Sequence, residues 1–173
     1  MPMYPTVDTV VEFHARGPWK TKSGGELSVA FALPIEIIMS HYFNYVANEL
    51  ARVPEDIRGL RMYISRGFKK GSIGGTEFHR VREEFVFGLE GRLRWWCDDV
   101  YGNRKEWILK PGFGLWMHPY ILHSYEVLEE NSGLIVIANT LFNPENPATH
   151  DTYSQEEFSE LRLSLTRCAE EKL

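Results

Sequence analysis

The chain has 173 residues, of which 43% are hydrophobic, 25% charged and 13% aromatic; these values exclude a disordered chain and suit one domain with a sizeable core. A net charge of −5 excludes a bulk positive field for nucleic acid. No run approaches the ~20 apolar residues of a membrane span, no basic leader precedes an apolar core, and Cys97 and Cys168 form no CxxC pair, so a soluble cytoplasmic protein without a disulfide framework or zinc ribbon is expected.

Residues 7–13 alternate weakly and predict an edge strand. Gly17-Pro18 breaks that pattern, and Ser23-Gly24-Gly25 marks a turn. Residues 26–33 predict a strand ended by Pro34, and residues 35–46 contain another. Pro54-Glu55-Asp56 opens a short helical turn. Residues 48–73 are expected to hold an inserted loop or lid, with strand character returning at 60–65 and a glycine-rich basic loop at 66–75.

The pattern is most regular from there on. Strands are predicted at 76–82, 84–89, 92–97, 105–109, 114–117, 123–128 and 134–139, with turn signals between them. Short strands at this rhythm predict an all-β sandwich or barrel in a single domain spanning 1–173. A helix closes the chain. Ser154 and Glu157 match a capping box, and Phe158, Leu161, Leu165 and Cys168 share one face.

Charge is unevenly placed. Nine Lys/Arg stand against four Asp/Glu from Arg58 to Arg94, whereas three stand against seven from Asn143 to the end. The basic middle suits either a phosphorylated small ligand or a set of solvated strand faces. His14, His41 and His150 carry no pattern and are read as structural. His118 is expected to point out of the barrel, and Trp95, Trp96, Trp107 and Trp116 to pack in the core or line the pocket.

Residues 77–91 read E-x-H-x4-E-x6-G. On a strand, residues two apart share a face, so Glu77 and His79 look the same way. Glu84 follows after a bend, and His123 comes from a later strand beyond the turn at His118-Pro119-Tyr120. Four such groups converging in a barrel make either a metal site or an acid/base pair in a buried pocket.

This spacing resembles the two motifs of the cupin superfamily, with Glu77 where the family usually has His. The resemblance implies a jelly-roll β-barrel with a C-terminal helix and, in metal-binding members, the ligands Glu77, His79, Glu84 and His123 for Fe, Mn, Ni or Zn. A second resemblance is to the sugar-nucleotide 3,4-ketoisomerases, which act on dTDP-4-keto-6-deoxyglucose. Gly74-Gly75-Thr76-Glu77-Phe78-His79-Arg80 lies opposite their Arg-Gly-x-His-Ala-His-Lys strand. The segment from Gly114 to His123, the Leu134-Ile135-Val136-Ile137-Ala138-Asn139 run, and Tyr153 with Phe158 match further parts of that branch.

That resemblance implies proton shuttling between C3 and C4 through an enediol, without a metal cofactor. Glu77 and His79 then form the acid/base pair. Arg80, Arg82, Arg94, Trp116 and Tyr125 are the substrate-binding candidates. Glu84 stands where that branch usually has Gln. The resemblance also implies a homodimer joined through N-terminal strands, while the net charge and the lack of a long apolar run lead to the expectation of no nucleic-acid partner and no membrane. A metal-dependent cupin and a non-catalytic small-molecule binder are the alternatives.

Overall fold

Alternation of side chains shapes most of the molecule. Along β7 (Leu93–Asp98), Leu93, Trp95 and Cys97 are buried, whereas Arg94 is exposed and Trp96 and Asp98 are half-buried. A strand patterned this way must lay one face on another apolar layer. The computed structural model describes residues 3–47 and 51–170, without the side chains of 47 and 168–170.

The strands are β1 (Val11–His14), β2 (Arg16–Lys20), β3 (Glu26–Val29), β4 (Arg58–Phe68), β5 (Ile73–Phe78), β6 (Glu84–Glu90), β7, β8 (Arg104–Leu109), β9 (Phe113–Met117), β10 (Leu122–Val127), β11 (Ser132–Thr140) and β12 (Tyr153–Ser154). One five-stranded sheet has the order β1-β9-β6-β11-β4 and the other β12-β5-β10-β7-β8. Pairing within both is antiparallel. The two inner faces meet in one apolar layer: Val86, Leu115, Leu134 and Val136 from the first sheet against Leu93, Trp95, Leu109 and Val127 from the second. Burial of each such side chain stabilises the fold by about 1.5–3 kcal/mol.

Both outer faces are covered in part. Phe13, Phe85, Phe87 and Trp116 look outward and are packed by Phe31, Leu33, Ile37, Ile38 and Tyr42. This corrects the strand expected at 35–46. Residues Ile35–Ile37 form one helical turn, α1, that runs into a π-helical turn at Ile38–Tyr42. The run is apolar because it lies on a sheet, and burial alone does not distinguish helix from strand. On the other sheet, α2 (Gln155–Glu170) packs Phe158, Leu161 and Leu165 against Phe78 and Leu122. Its capping box is formed, with Ser154 N–H donating to Glu157 Oε2 at 2.8 Å and Glu157 N–H to Ser154 Oγ at 3.3 Å. Cys168, expected on the same face, lies outside the described side chains.

Residues 58–68, expected partly as inserted loop, are strand β4 at the edge of the first sheet. The helical turn expected after Pro54 is present at Glu55–Ile57; residues 48–50 of the expected lid lie outside the described residues. Gly17-Pro18 does not end a strand. It lies within β2, which pairs with β3 as a separate two-stranded hairpin. The edge strand expected at 7–13 is shorter: Val7–Thr9 is a 3-10 turn, and β1 follows it. The strand expected at 76–82 ends at Phe78, so residues 79–83 bridge to β6.

Candidate active site

The bridge from β5 to β6 is where the site forms. β5 carries a bulge, because His123 of β10 pairs with Glu77 while the next residue, Ser124, pairs with Gly75. Thr76 is the extra residue. It takes φ +67°, beside Gly75 at +71°. A β-branched residue in the left-handed region costs about 1–3 kcal/mol, and such strain gathers where a side chain must be re-aimed. Beyond the bulge, Glu77 faces the space between the sheets.

Glu77, His79 and His123 come together there, each offering one side-chain atom within 4.8 Å of the others. Glu77 and His123 line a cavity of about 140 Å³ together with Glu84, Tyr63, Trp95 and Tyr125, and His79 is buried beside them. A second cavity, of about 210 Å³, shares Tyr125 and adds Phe68 and Lys69. Trp95 stacks on His123 at 5.5 Å on one side and on Tyr125 at 5.6 Å on the other.

Both histidines are held by their Nδ1 atoms. His79 Nδ1 meets the backbone carbonyl of Asp151, and His123 Nδ1 meets that of Ile121 at 3.2 Å. A carbonyl only accepts, so both Nδ1 atoms carry hydrogen and the Nε2 atoms are the ones not tied to the backbone. His79 Nε2 is buried without a hydrogen-bond partner, with Glu84 Oε1 3.6 Å away. Burial, with His79 beside it, holds His123 below the ordinary imidazole range, against the opposing pull of Glu84 and Glu77.

Glu84 is the most enclosed group of the set. Its Oε1 accepts from Tyr63 Oη at 3.0 Å and Arg82 Nη1 at 3.4 Å, and Arg82 Nε donates to Thr140 Oγ1 at 3.2 Å. Burial alone pushes the Glu84 carboxyl up; His79, Arg82 and His123 outweigh it and hold the group well below the usual carboxylate range. Burial, with Glu84 adding, pushes the Tyr63 hydroxyl upward, so it serves as a donor.

The substrate candidates divide. Tyr125 lines both cavities. Arg82 reaches the site, but as a buried support of Glu84. Arg80, Arg94 and Trp116 do not line either cavity. Arg80 leaves the sheet after His79 and lies over the Tyr153 ring at 4.1 Å. Alternation turns Arg94 to the outer face, where it pairs with Glu126 at 3.0 Å. It likewise turns Trp116 into the outer aromatic cluster, where Nε1 donates to Glu83. His118 also lies outside, against Glu83 at 3.4 Å and the Thr9 carbonyl at 2.9 Å. Tyr63, missed in the sequence, was detectable from alternation with Arg61 and Ser65 on β4. Asp151, also missed, has no local signal.

Residues 40–158 match the family described as "FdtA: WxcM-like, C-terminal". No curated protein matches the chain. Among solved structures, the chain is similar to the sugar 3,4-ketoisomerase QdtA of Thermoanaerobacterium thermosaccharolyticum in complex with TDP, at 16% identity over 91% of this chain and 97% of that one, with TM-score 0.61. It is similar to the TDP-fucose-3,4-ketoisomerase WlaRA of Campylobacter jejuni at 18% identity, covering 89% and 96%, with TM-score 0.59. A dTDP-4-dehydrorhamnose 3,5-epimerase of Bacillus anthracis aligns at 9% identity over 88% and 81%, with TM-score 0.61.

Proposed function

The chain belongs to the FdtA family (WxcM-like, C-terminal) and has its cupin fold, and we propose that it is an isomerase of a nucleoside-diphosphate 4-keto-6-deoxy sugar. The observation that carries this is the convergence of Glu77, His79 and His123, of which Glu77 and His123 line one cavity. Glu77 and His79 are the proton-transfer pair. One takes the C3 proton while the other gives a proton to O4, forming an enediol; a proton returned at C4 and loss of the O3 proton then leave the carbonyl at C3 and the hydroxyl at C4. No atom is gained or lost. The uncharged His123, stacked on Trp95, closes the third side. The sugar end occupies the first cavity, and the diphosphate runs past Tyr125 towards Lys69. The place of Glu77, where relatives of the branch have His, is supported by its position against His123 across β5 and β10.

The test is purified protein with dTDP-4-keto-6-deoxyglucose in deuterium oxide. Washout of the C3 proton and a 3-keto product are expected. Glu77→Gln and His79→Gln each lower kcat by about 100-fold or more while TDP binding persists. Protein that neither binds the nucleotide sugar nor exchanges its proton overturns the proposal. Tight binding without exchange points instead to a non-catalytic binder.

A second reading has a specific observation behind it. Glu77 with the Nε2 atoms of His79 and His123 forms a set that suits a divalent Fe, Mn, Ni or Zn ion, with the Nδ1 bonds orienting the rings. Glu84, counted as a fourth ligand from sequence, is outside that set and already engaged by Tyr63 and Arg82. Such an ion would supply Lewis acidity at the sugar carbonyl. Elemental analysis of protein made without chelators separates the readings. About one metal per chain, with turnover lost on chelation, favours the ion; unchanged turnover favours the metal-free isomerase.

The same proposal has the enzyme soluble, cytoplasmic and dimeric. Among the described residues, no helix is long and apolar enough to cross a membrane. Support for a homodimer comes from the β2–β3 hairpin, which among the described residues pairs with no other strand and exposes Trp19 and Leu27. A lone two-stranded hairpin is marginal in water. Leu60, Met62 and Ile64 on the outer face of β4, 60%, 63% and 45% exposed, offer an apolar stripe for a second copy.

A further inference from the structure

Asp151 lies between β11 and β12, far in sequence from every residue of the cavity. It is buried, and backbone amides fill its carboxylate. Oδ1 accepts from the N–H of Arg80 at 2.9 Å, and Oδ2 from those of Val81 at 3.0 Å and Arg82 at 2.7 Å. Its own backbone carbonyl takes His79 Nδ1. Two residues later, β12 pairs with β5 at Tyr153↔Phe78 and Ser154↔Glu77. One short segment therefore grips the end of the strand bearing Glu77 and His79, and the turn leading to Arg82 and Glu84.

The grip has a physical reason. Residues 79–83 have left the sheet, so their amides have no ladder to join, and a buried unpaired amide costs about 1–3 kcal/mol. Three consecutive N–H groups on one carboxylate form an anion nest that holds the turn in one conformation. On its other side, the His79 carbonyl accepts from Tyr120 N–H at 2.7 Å. With both backbone and Nδ1 tied, the His79 ring has one orientation and one proton position, and Nε2 faces Glu84.

We propose that Asp151 is a positioning residue, which through the 79–83 turn fixes the orientation and tautomer of His79 and the reach of Arg82 to Glu84. This deepens the isomerase reading, on which its kinetic consequence rests; the consequence for His79 itself does not depend on it. A carboxylate that merely capped the turn would lower stability when removed and leave the His79 tautomer unchanged.

The test is long-range 1H–15N spectroscopy of the histidine rings in the full chain, at about pH 8.5, above the ordinary imidazole range. In the wild-type protein His79 shows the Nδ1–H tautomer. Asp151→Ala removes both acceptors. Asp151→Asn keeps the volume and one acceptor oxygen, and decides the matter if the alanine variant does not fold. In the folded variant the His79 ring nitrogens move towards tautomer-averaged shifts while the remaining histidines keep theirs. The turnover of Asp151→Ala falls by about 100-fold with KM within about threefold, as for a misplaced reacting group. His79 signals identical to wild type in a folded variant overturn the proposal. Wild-type protein without turnover on the keto-sugar overturns the isomerase reading instead, and the His79 spectrum still decides the role of Asp151.

Discussion

Glu84 shows how far a single residue's role depends on its partners. As Gln it would leave Arg82 facing a neutral amide in a buried site, a change worth about 3–5 kcal/mol when one partner of a buried pair is lost. The sign with pH follows from the depressed carboxyl. A lowered folded-state pKa stabilises fully above the ordinary carboxylate range, and that stability drains as pH falls towards the folded value. Glu84→Gln is therefore expected to cost most near pH 7 and progressively less below about pH 4. Urea unfolding midpoints at both pH values check this; a cost independent of pH would contradict it. The identities of Glu77, His79, Glu84 and His123 as a group were legible from motif spacing. That Glu77, Glu84 and His123 line the cavity while His79 is buried beside it was not, because Tyr63, which reaches Glu84, comes from a strand that spacing does not relate to it.

At the scale of elements, β5 is the exceptional strand. Its bulge aims Glu77, and its glycines make room for β10. A Cβ at Gly74 would lie 2.3 Å from the Tyr125 ring. Gly74→Ala therefore displaces the side chain that borders both cavities. It is expected to cost about 1–3 kcal/mol in stability and to raise KM with little change in kcat, measurable by thermal unfolding and steady-state kinetics. Thr76→Gly relieves the left-handed position and is expected to raise stability by about 1 kcal/mol, with lower turnover as Glu77 loses its fixed aim. Alternation located β6 to β11 to within a residue or two, because their buried and exposed faces differ. It failed at 35–46, an apolar segment that covers a sheet, and at 79–83, where side-chain acceptors replace the ladder.

The whole molecule is a barrel with a partly bare outer face and a hairpin that, among the described residues, pairs with no other strand. If a second copy covers them, Met62→Lys places a charge in that contact and shifts the protein from dimer to monomer in analytical ultracentrifugation, while circular dichroism is unchanged. Wild-type protein sedimenting as a monomer would refute the homodimer. By itself the sequence determined the all-β class, the strand rhythm, the closing helix with its capping box and the residues that define the motif, because these depend on periodicity and on neighbours a few positions apart. The tertiary structure alone decided that Arg94 and Trp116 face away from the cavity, that Tyr63 reaches Glu84, and that Asp151 holds His79. Those facts depend on sheet pairing and on a contact spanning more than seventy residues, as |i−j| = 72 for His79 and Asp151, and no local pattern encodes such a distance.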